Sequence, residues 1–376
     1  MGRFLLCFSY IGTRYCGLQR QHGVLNPRTG RKSDRVKTVI GTIEDALLGF
    51  RPKDVRVVTS SRTDSGVHAL CNTAHVDLIP SSSRAFSEYD PEFLCIAMNK
   101  RFSKTNEPIR MVEIRRVADN FHARFLAKNR KYCYRLALYD DDAFDSNTIP
   151  LSAFDRERVC VVSNRVDMKK VKEGAKFLSG TTNYLSFTSQ RYFKDYIDPV
   201  KTLNIEIKPG NLWMEDFNYF ARDKFKCYDL IFTGNSFMYR MVRKLMTCLL
   251  NIGRGHLTLE RVQEILDNPE TSWDDHHIRP SPSYALYLLN VEYDKKDLLY
   301  SPECPRLYLS QVEKQYHNAI FGLSKTLEAY GDQNSNSKKG RPCADMDAMK
   351  RQHIDEEYKD LYAARYLDYL NKGKSR

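Results

Sequence analysis

The sequence predicts a mixed α and β protein made of two similar halves followed by a helical extension. Three observations carry that reading. Period-two and helix-period apolar stretches alternate from residue 4 to residue 117, the alternation recurs from residue 132 to residue 291, and two more helix-period stretches lie beyond residue 300. The boundaries expected from this pattern are 1–120, 121–299 and 300–376. With 376 residues there is chain enough for a core that needs no disulfide or metal staples.

In the first half, Phe4, Leu6, Phe8 and Tyr10 alternate with Leu5, Cys7 and Ser9, which predicts a strand ended by Gly12. Thr13 to Gln21 is a loop rich in donors, Arg14 and Arg20 among them, and suits both an ordinary polar connection and a contact to phosphates. Residues 22–36 read as a basic surface insertion. Val39, Ile43, Leu47 and Phe50 recur at helical spacing before the Arg51-Pro52 stop. Strands are expected over Val55 to Thr59, Cys71 to Leu78 and Ile109 to Val117, with a short helix over Phe93 to Phe102 after a linker at 80–92.

In the second half, Tyr132, Tyr134, Leu136 and Leu138 share one face of a strand that follows the basic run 128–131. Tyr134 reads as core, and Tyr132, beside the basic run, as a ring on which a base could stack. Asp167 is placed to cap a helix striped by Met168, Val171, Ala175 and Leu178. Strands are expected over Leu203 to Lys208 and Tyr228 to Gly234. A helix is expected from Ser236 to Ile252, with Arg240, Arg243 and Lys244 on one face opposite Met241, Leu245 and Leu249. Thr258 caps a further helix, and Tyr284 to Val291 makes the final strand. Beyond residue 300, Val312, Tyr316, Ile320, Leu323 and Leu327 mark one helix and residues 346–370 another.

Charge narrows the function classes. Lys and Arg number 59 against 47 Asp and Glu, and residues 300–376 hold 13 and 11 of these, so nearly all the excess lies in the body. A basic body with 23 tyrosines suits a polyanion that offers flat bases, although acidic proteins and membrane surfaces attract such charge too. No apolar run reaches the roughly 18 residues of a membrane helix. The ten cysteines include no C-x-x-C pair, which leaves a zinc ribbon and a redox dithiol unsignalled. They read as reduced residues of an intracellular protein, cytoplasmic or mitochondrial, since a strand pattern at residue 4 leaves no room for a targeting peptide.

The stretch Ser60-Ser61-Arg62-Thr63-Asp64-Ser65-Gly66-Val67-His68-Ala69 stands out, because it sets charged and hydroxyl residues between two strands. Arg62 and Asp64 point to the same side if the loop is extended, and Ser65-Gly66 supplies the turn. Taken alone, the loop fits a capping aspartate beside a surface arginine as well as a carboxylate held for chemistry.

Together with YIGTRYCGLQRQ, NFHARF, KYCYR, SGTTNYLSF, PVKTL, FMYRMVRKL and YALYLLNVEY, in that order, this loop resembles the TruA-type tRNA pseudouridine synthases, most closely the animal branch called tRNA pseudouridine synthase-like. The resemblance covers about residues 3 to 293. It implies two ferredoxin-like α/β subdomains that share a mostly antiparallel sheet, with the site in the basic cleft between them. Asp64 matches the catalytic aspartate, Arg243 its basic partner, Tyr132 the tyrosine that stacks on the target uracil, Arg62 the arginine that takes the displaced base's place, and Leu286 an apolar residue near the base. Arg20, Arg124, Arg240 and Lys244 are expected to hold the tRNA backbone. A homodimer is implied by the same resemblance. Leu18 departs from the bacterial pattern, which usually has tryptophan there, and residues 300–376 have no counterpart in it.

The implied reaction breaks the N1–C1′ bond of uridine, turns the base, joins C5 to C1′ and releases the C5 proton. It involves no redox change, so no cofactor or metal is expected, in keeping with a sequence that has no P-loop, dinucleotide turn or metal-ligand cluster. A carboxylate can attack the sugar or take a sugar proton, and the sequence is compatible with both. A base inside a helix must first be flipped out. A tRNA-binding protein or chaperone without the chemistry, and an N-glycosidase, are the competing readings.

Overall fold

The computed structural model describes residues 2–20, 36–50, 52, 55–79, 89–139, 149, 151–189, 198–213, 224–269 and 279–300. The insertion expected at 22–36 and the helical extension beyond 300 lie, but for residue 36 and residue 300, outside these described residues.

Strand β1, Gly2–Tyr10, leads through a 3-10 turn to α1, Val39–Leu48, whose first turn is capped by the Thr38 hydroxyl. Then come β2, Val57–Thr59, β3, His68–Leu78, α2, Pro91–Lys104, and β4, Ile109–Val117. Asp90 caps α2 and Pro91 opens it, a pairing that pre-sets the first turn. The second half holds β5, Asn129–Tyr139, β6, Cys160–Ser163, α3, Met168–Phe177, β7, Gly180–Asn183, β8, Val200–Pro209, and β9, Phe225–Gly234. It closes with α4, Met241–Gly253, α5, Leu259–Asp267, and β10, Leu286–Glu292.

Ten strands among the described residues join one sheet, in the order β4-β1-β3-β10-β5-β9-β8-β7, with β2 on β3 and β6 on β5. All pairs are antiparallel except β10 with β3 and β6 with β5. The fold is therefore mixed α and β around one mostly antiparallel sheet. One apolar cluster takes Phe4, Leu6 and Phe8 from β1 and Tyr134, Leu136 and Leu138 from β5, together with buried residues of all five described α-helices. Residues of the opposite parity, Leu5 in β1 and Ala137 and Tyr139 in β5, supply two smaller clusters.

Two expectations change. The helix expected from Ser236 begins at Met241, because Arg240 before it takes φ of 60°, which a continuing helix does not accommodate. Strands β6 and β7 were not expected from the pattern: each has four residues, too few for a period to register, and β7 is polar throughout.

On the Leu5 side of the sheet, His75 and His122 meet edge to face with ring centroids 4.7 Å apart. The His75 Nδ1 accepts from the Ala123 N–H, and the His122 Nδ1 from the Arg124 and Phe125 N–H groups. Burial lowers both imidazoles from the usual range, His122 to about 3; at His75 the facing His122 ring, Arg3 and Arg56 push the same way, and at His122 Arg3 and Arg124 do. An unfolded histidine takes up a proton near pH 6.5, whereas folded His122 does so only near 3, so the unfolded state binds more protons in that window. Stability is expected to be fully present above about pH 6.5 and to fall as pH drops through that window. Urea denaturation between about pH 7 and 5 checks this, and His122→Asn, which keeps an acceptor but does not titrate, should flatten the dependence.

Candidate active site

The loop from Ser60 to Val67 leaves β2 and enters β3 beside β10, at the junction of the two halves. Its turn needs glycine: Gly66 sits at φ of 85°, and a Cβ there would stand 2.6 Å from Ser283 Oγ. Backbone bonds fasten the loop to the segment after β1, from the Leu18 N–H to the Thr63 carbonyl at 3.2 Å, and the Ser65 hydroxyl donates to the Tyr15 carbonyl. Beneath it runs a buried polar network. The Tyr10 hydroxyl and Thr63 Oγ1 are 2.7 Å apart, Asn72 donates to Tyr10, and Asn72, Thr73 and Ser60 are bonded to one another. Burial raises the Tyr10 phenol to about 12, so Tyr10 serves here as a neutral hydroxyl.

This scaffold presents Asp64. Arg243, in the first turn of α4, donates from Nη1 to Asp64 Oδ2 at 2.8 Å, with the two side chains 15% and 19% exposed. The guanidinium is itself aimed: its Nε donates to the Ser281 carbonyl at 2.6 Å, and the Ser281 N–H returns a bond to the Arg243 carbonyl. Tyr132 stands close by in β5, 6% exposed, with its ring edge-on to Phe237 at 5.0 Å. Its phenol is pushed well above the usual range, first by burial and then by Tyr10, with Asp64 adding to the rise while Arg130 and the Ser61 hydroxyl oppose it. Leu286 opens β10 opposite Tyr134, and two residues on, Leu288 pairs with both Tyr132 and Ala69. Arg62 is half-buried in the same loop. A carboxylate, a fixed guanidinium and a ring on an apolar floor thus meet at one place, an arrangement suited to a flat polar ring beside a group that attacks or deprotonates.

A family model described as tRNA pseudouridine synthase matches residues 175–294. The tRNA pseudouridine synthase-like 1 of Xenopus laevis is 32% identical over 298 residues, 79% of this chain and 93% of its own length. The chain belongs to the tRNA pseudouridine synthase family. The Homo sapiens protein of the same name is 31% identical over 77% of this chain and 90% of its own, and tRNA pseudouridine synthase A of Ehrlichia canis is 26% identical over 77% and 100%. The relatives place the chain with the TruA-type synthases near the animal branch, and membership makes it an isomerase.

In this pseudouridine synthase the basic residues read from the sequence do not form one RNA-facing set. Lys244 is 2% exposed and its ammonium donates to the Thr188 carbonyl at 2.8 Å, which takes it off the surface. The expected trio on α4 is thereby split: Arg243 turns to Asp64, Lys244 goes inward, and Arg240 lies before the helix, exposed and stacked on Tyr239 at 4.8 Å. Arg20 is turned to α1, 2.8 Å from Asp45 and 2.9 Å from Glu44. Arg124 is half-buried over the Phe125 ring, and its carbonyl accepts from Arg130. Leu18, the position at which the sequence departed from the expected pattern, is fully buried in the core.

The sequence reading missed Ser281 and Asn72, which lie in none of the motifs; it took Tyr10 only as a strand residue at the head of one, and it passed over Arg130 inside the basic run although its charge was visible. The buried ammonium gives a test. Lys244→Met should lower stability by about 1.5–3 kcal/mol, since it removes a bond from a charged donor and leaves the Thr188 carbonyl without that donor. A phosphate contact would instead reduce the salt dependence of RNA binding. Chemical denaturation and salt titrations of tRNA affinity separate the two.

Proposed function

We propose that the protein isomerises uridine to pseudouridine in the anticodon stem-loop of tRNA, with Asp64 as the group that attacks the sugar or takes its proton. The observation that carries this reading is the Asp64–Arg243 contact at 2.8 Å beside Tyr132, in a chain of this family. The two subdomains, about 1–120 and 121–299, form the walls of a cleft in ferredoxin-like fashion, and the junction strand β10 forms part of its floor. The target nucleotide is flipped out of the RNA, Arg62 takes the vacated place, and the uracil rests on the small open part of Tyr132 above Leu286. Arg243 holds the carboxylate toward the sugar through a charge-assisted bond. As N1 leaves C1′ and C5 joins it, the C5 proton departs and N1 gains one. Arg124 and the exposed Arg240 are the basic residues left best placed for the RNA backbone. An intracellular location and a homodimer belong to the same reading.

Asp64→Asn keeps the side-chain shape but removes the negative charge. With tRNA carrying tritium at uracil C5, the wild type should release label to water and Asp64→Asn should not. Both should bind tRNA, the variant slightly more tightly because a negative charge facing RNA is gone. Equal release would remove Asp64 from the catalytic role. Absence of release by either, on unmodified tRNA, would favour a binding protein or chaperone, and free uracil a glycosidase.

A further inference from the structure

Arg130, near the start of β5, is 8% exposed, and all five of its N–H donors have acceptors. Its Nε donates to Ser61 Oγ at 3.4 Å; Nη1 donates to the Ala127 carbonyl at 3.0 Å and the Asn235 carbonyl at 2.6 Å; Nη2 donates to the Ser60 carbonyl at 3.1 Å and the Arg124 carbonyl at 2.8 Å. None of these acceptors is a carboxylate. Burial lowers the guanidinium from its usual range, as expected of a desolvated cation.

Two conclusions follow from this geometry. No donor remains for a phosphate, so Arg130 is not an RNA contact even though it belongs to a strongly basic run. The desolvated cation also ties its acceptors together, because each of these bonds must be kept to offset the hydration it has lost. What the five bonds do is join three segments. Ser60 and Ser61 open the loop that carries Asp64, Asn235 belongs to the connection from β9 into the helix that carries Arg243, and residues 124–127 form the turn into β5. Tyr132 lies two residues along the same face of the strand.

We propose that Arg130 is a positioning residue for the Asp64–Arg243 pair, fixing the loop of one half against the approach to α4 in the other. The inference rests on the proposed reaction. The planar fork is what allows one side chain to reach five acceptors in three directions, and a lysine ammonium has only three donors. Loss of the fork lets the carboxylate and its partner drift without removing either group, and misplacement by about 1 Å is enough to cost about 100-fold in rate.

The test uses the full chain, with Arg130→Gln, Arg130→Lys, Arg243→Lys and the Arg130→Gln/Arg243→Lys double variant. Single-turnover release of tritium from C5-labelled tRNA, tRNA Kd and thermal unfolding are measured for each. Arg130→Gln is expected to slow release at saturating tRNA about 10- to 100-fold with Kd within about threefold of wild type, and Arg130→Lys to restore part of the rate. Because Arg130 acts through the pair, its substitution should slow the Arg243→Lys protein much less than the wild type. A folded Arg130→Gln with unchanged release would overturn the proposal, as would a defect that vanishes at saturating tRNA or full multiplicative effects in the double variant. Failure of both Arg130 variants to fold would assign a structural role alone and overturn it as well. Absence of release by the wild type would instead sink the reaction on which the inference rests.

Discussion

The architecture depends on where β10 goes. This strand comes last in the described chain, yet it lies in the middle of the sheet, parallel to β3 and antiparallel to β5. Without it, β3 and β5 would present open edges wherever β2 and β6 do not cover them, and among the described residues the two halves would share no hydrogen-bond ladder. Leu288 marks the junction, since it pairs with Ala69 on one side and Tyr132 on the other. Because Ala69 follows the Asp64 loop and Tyr132 lies beside that loop, the insertion that closes the sheet also assembles the site.

The same junction decides which charges face one another. Asp64 and Arg243 are 179 residues apart in the chain, and each is held by bonds of its own. On one side the loop is secured through Leu18, Tyr15 and the buried hydroxyl and amide network of Tyr10, Asn72, Thr73 and Ser60. On the other, Ser281 grips Arg243 through its carbonyl and its N–H. Two half-buried charges fixed from both sides need little reorganisation when substrate arrives, and covering them with RNA would strengthen their interaction by removing water.

The buried cations obey a different rule. Lys244 and Arg130 both lie in sequence stretches that look like nucleic-acid surface, and both are turned inward onto carbonyl oxygens. A long side chain on a strand or helix can reach either water or a neighbouring backbone, and the choice depends on which carbonyls lack a partner nearby. Charge along the chain therefore overstates the basic surface.

Much of the fold was legible in the sequence. The period-two runs of β1 and β4, the stripe of α3 behind its Asp167 cap and the shared face of Tyr132, Tyr134, Leu136 and Leu138 follow from local pattern, because burial on one face imprints a period on the residues that provide it. The Ser60–Ala69 loop is likewise marked by its composition alone, which sets an arginine, an aspartate and hydroxyl residues between two apolar strands. The short β6 and β7 were not legible, nor was the break that Arg240 puts before α4, since four residues carry no period and a single positive φ leaves no mark in composition. The order of strands and the inward turn of Arg130 and Lys244 belong to tertiary structure alone, and the meeting of Asp64 with Arg243, implied by the resemblance, leaves no mark in the local pattern. Each depends on which distant backbone arrives beside a side chain, and a linear pattern of apolar and charged residues records what a segment can bury but not what comes to bury it.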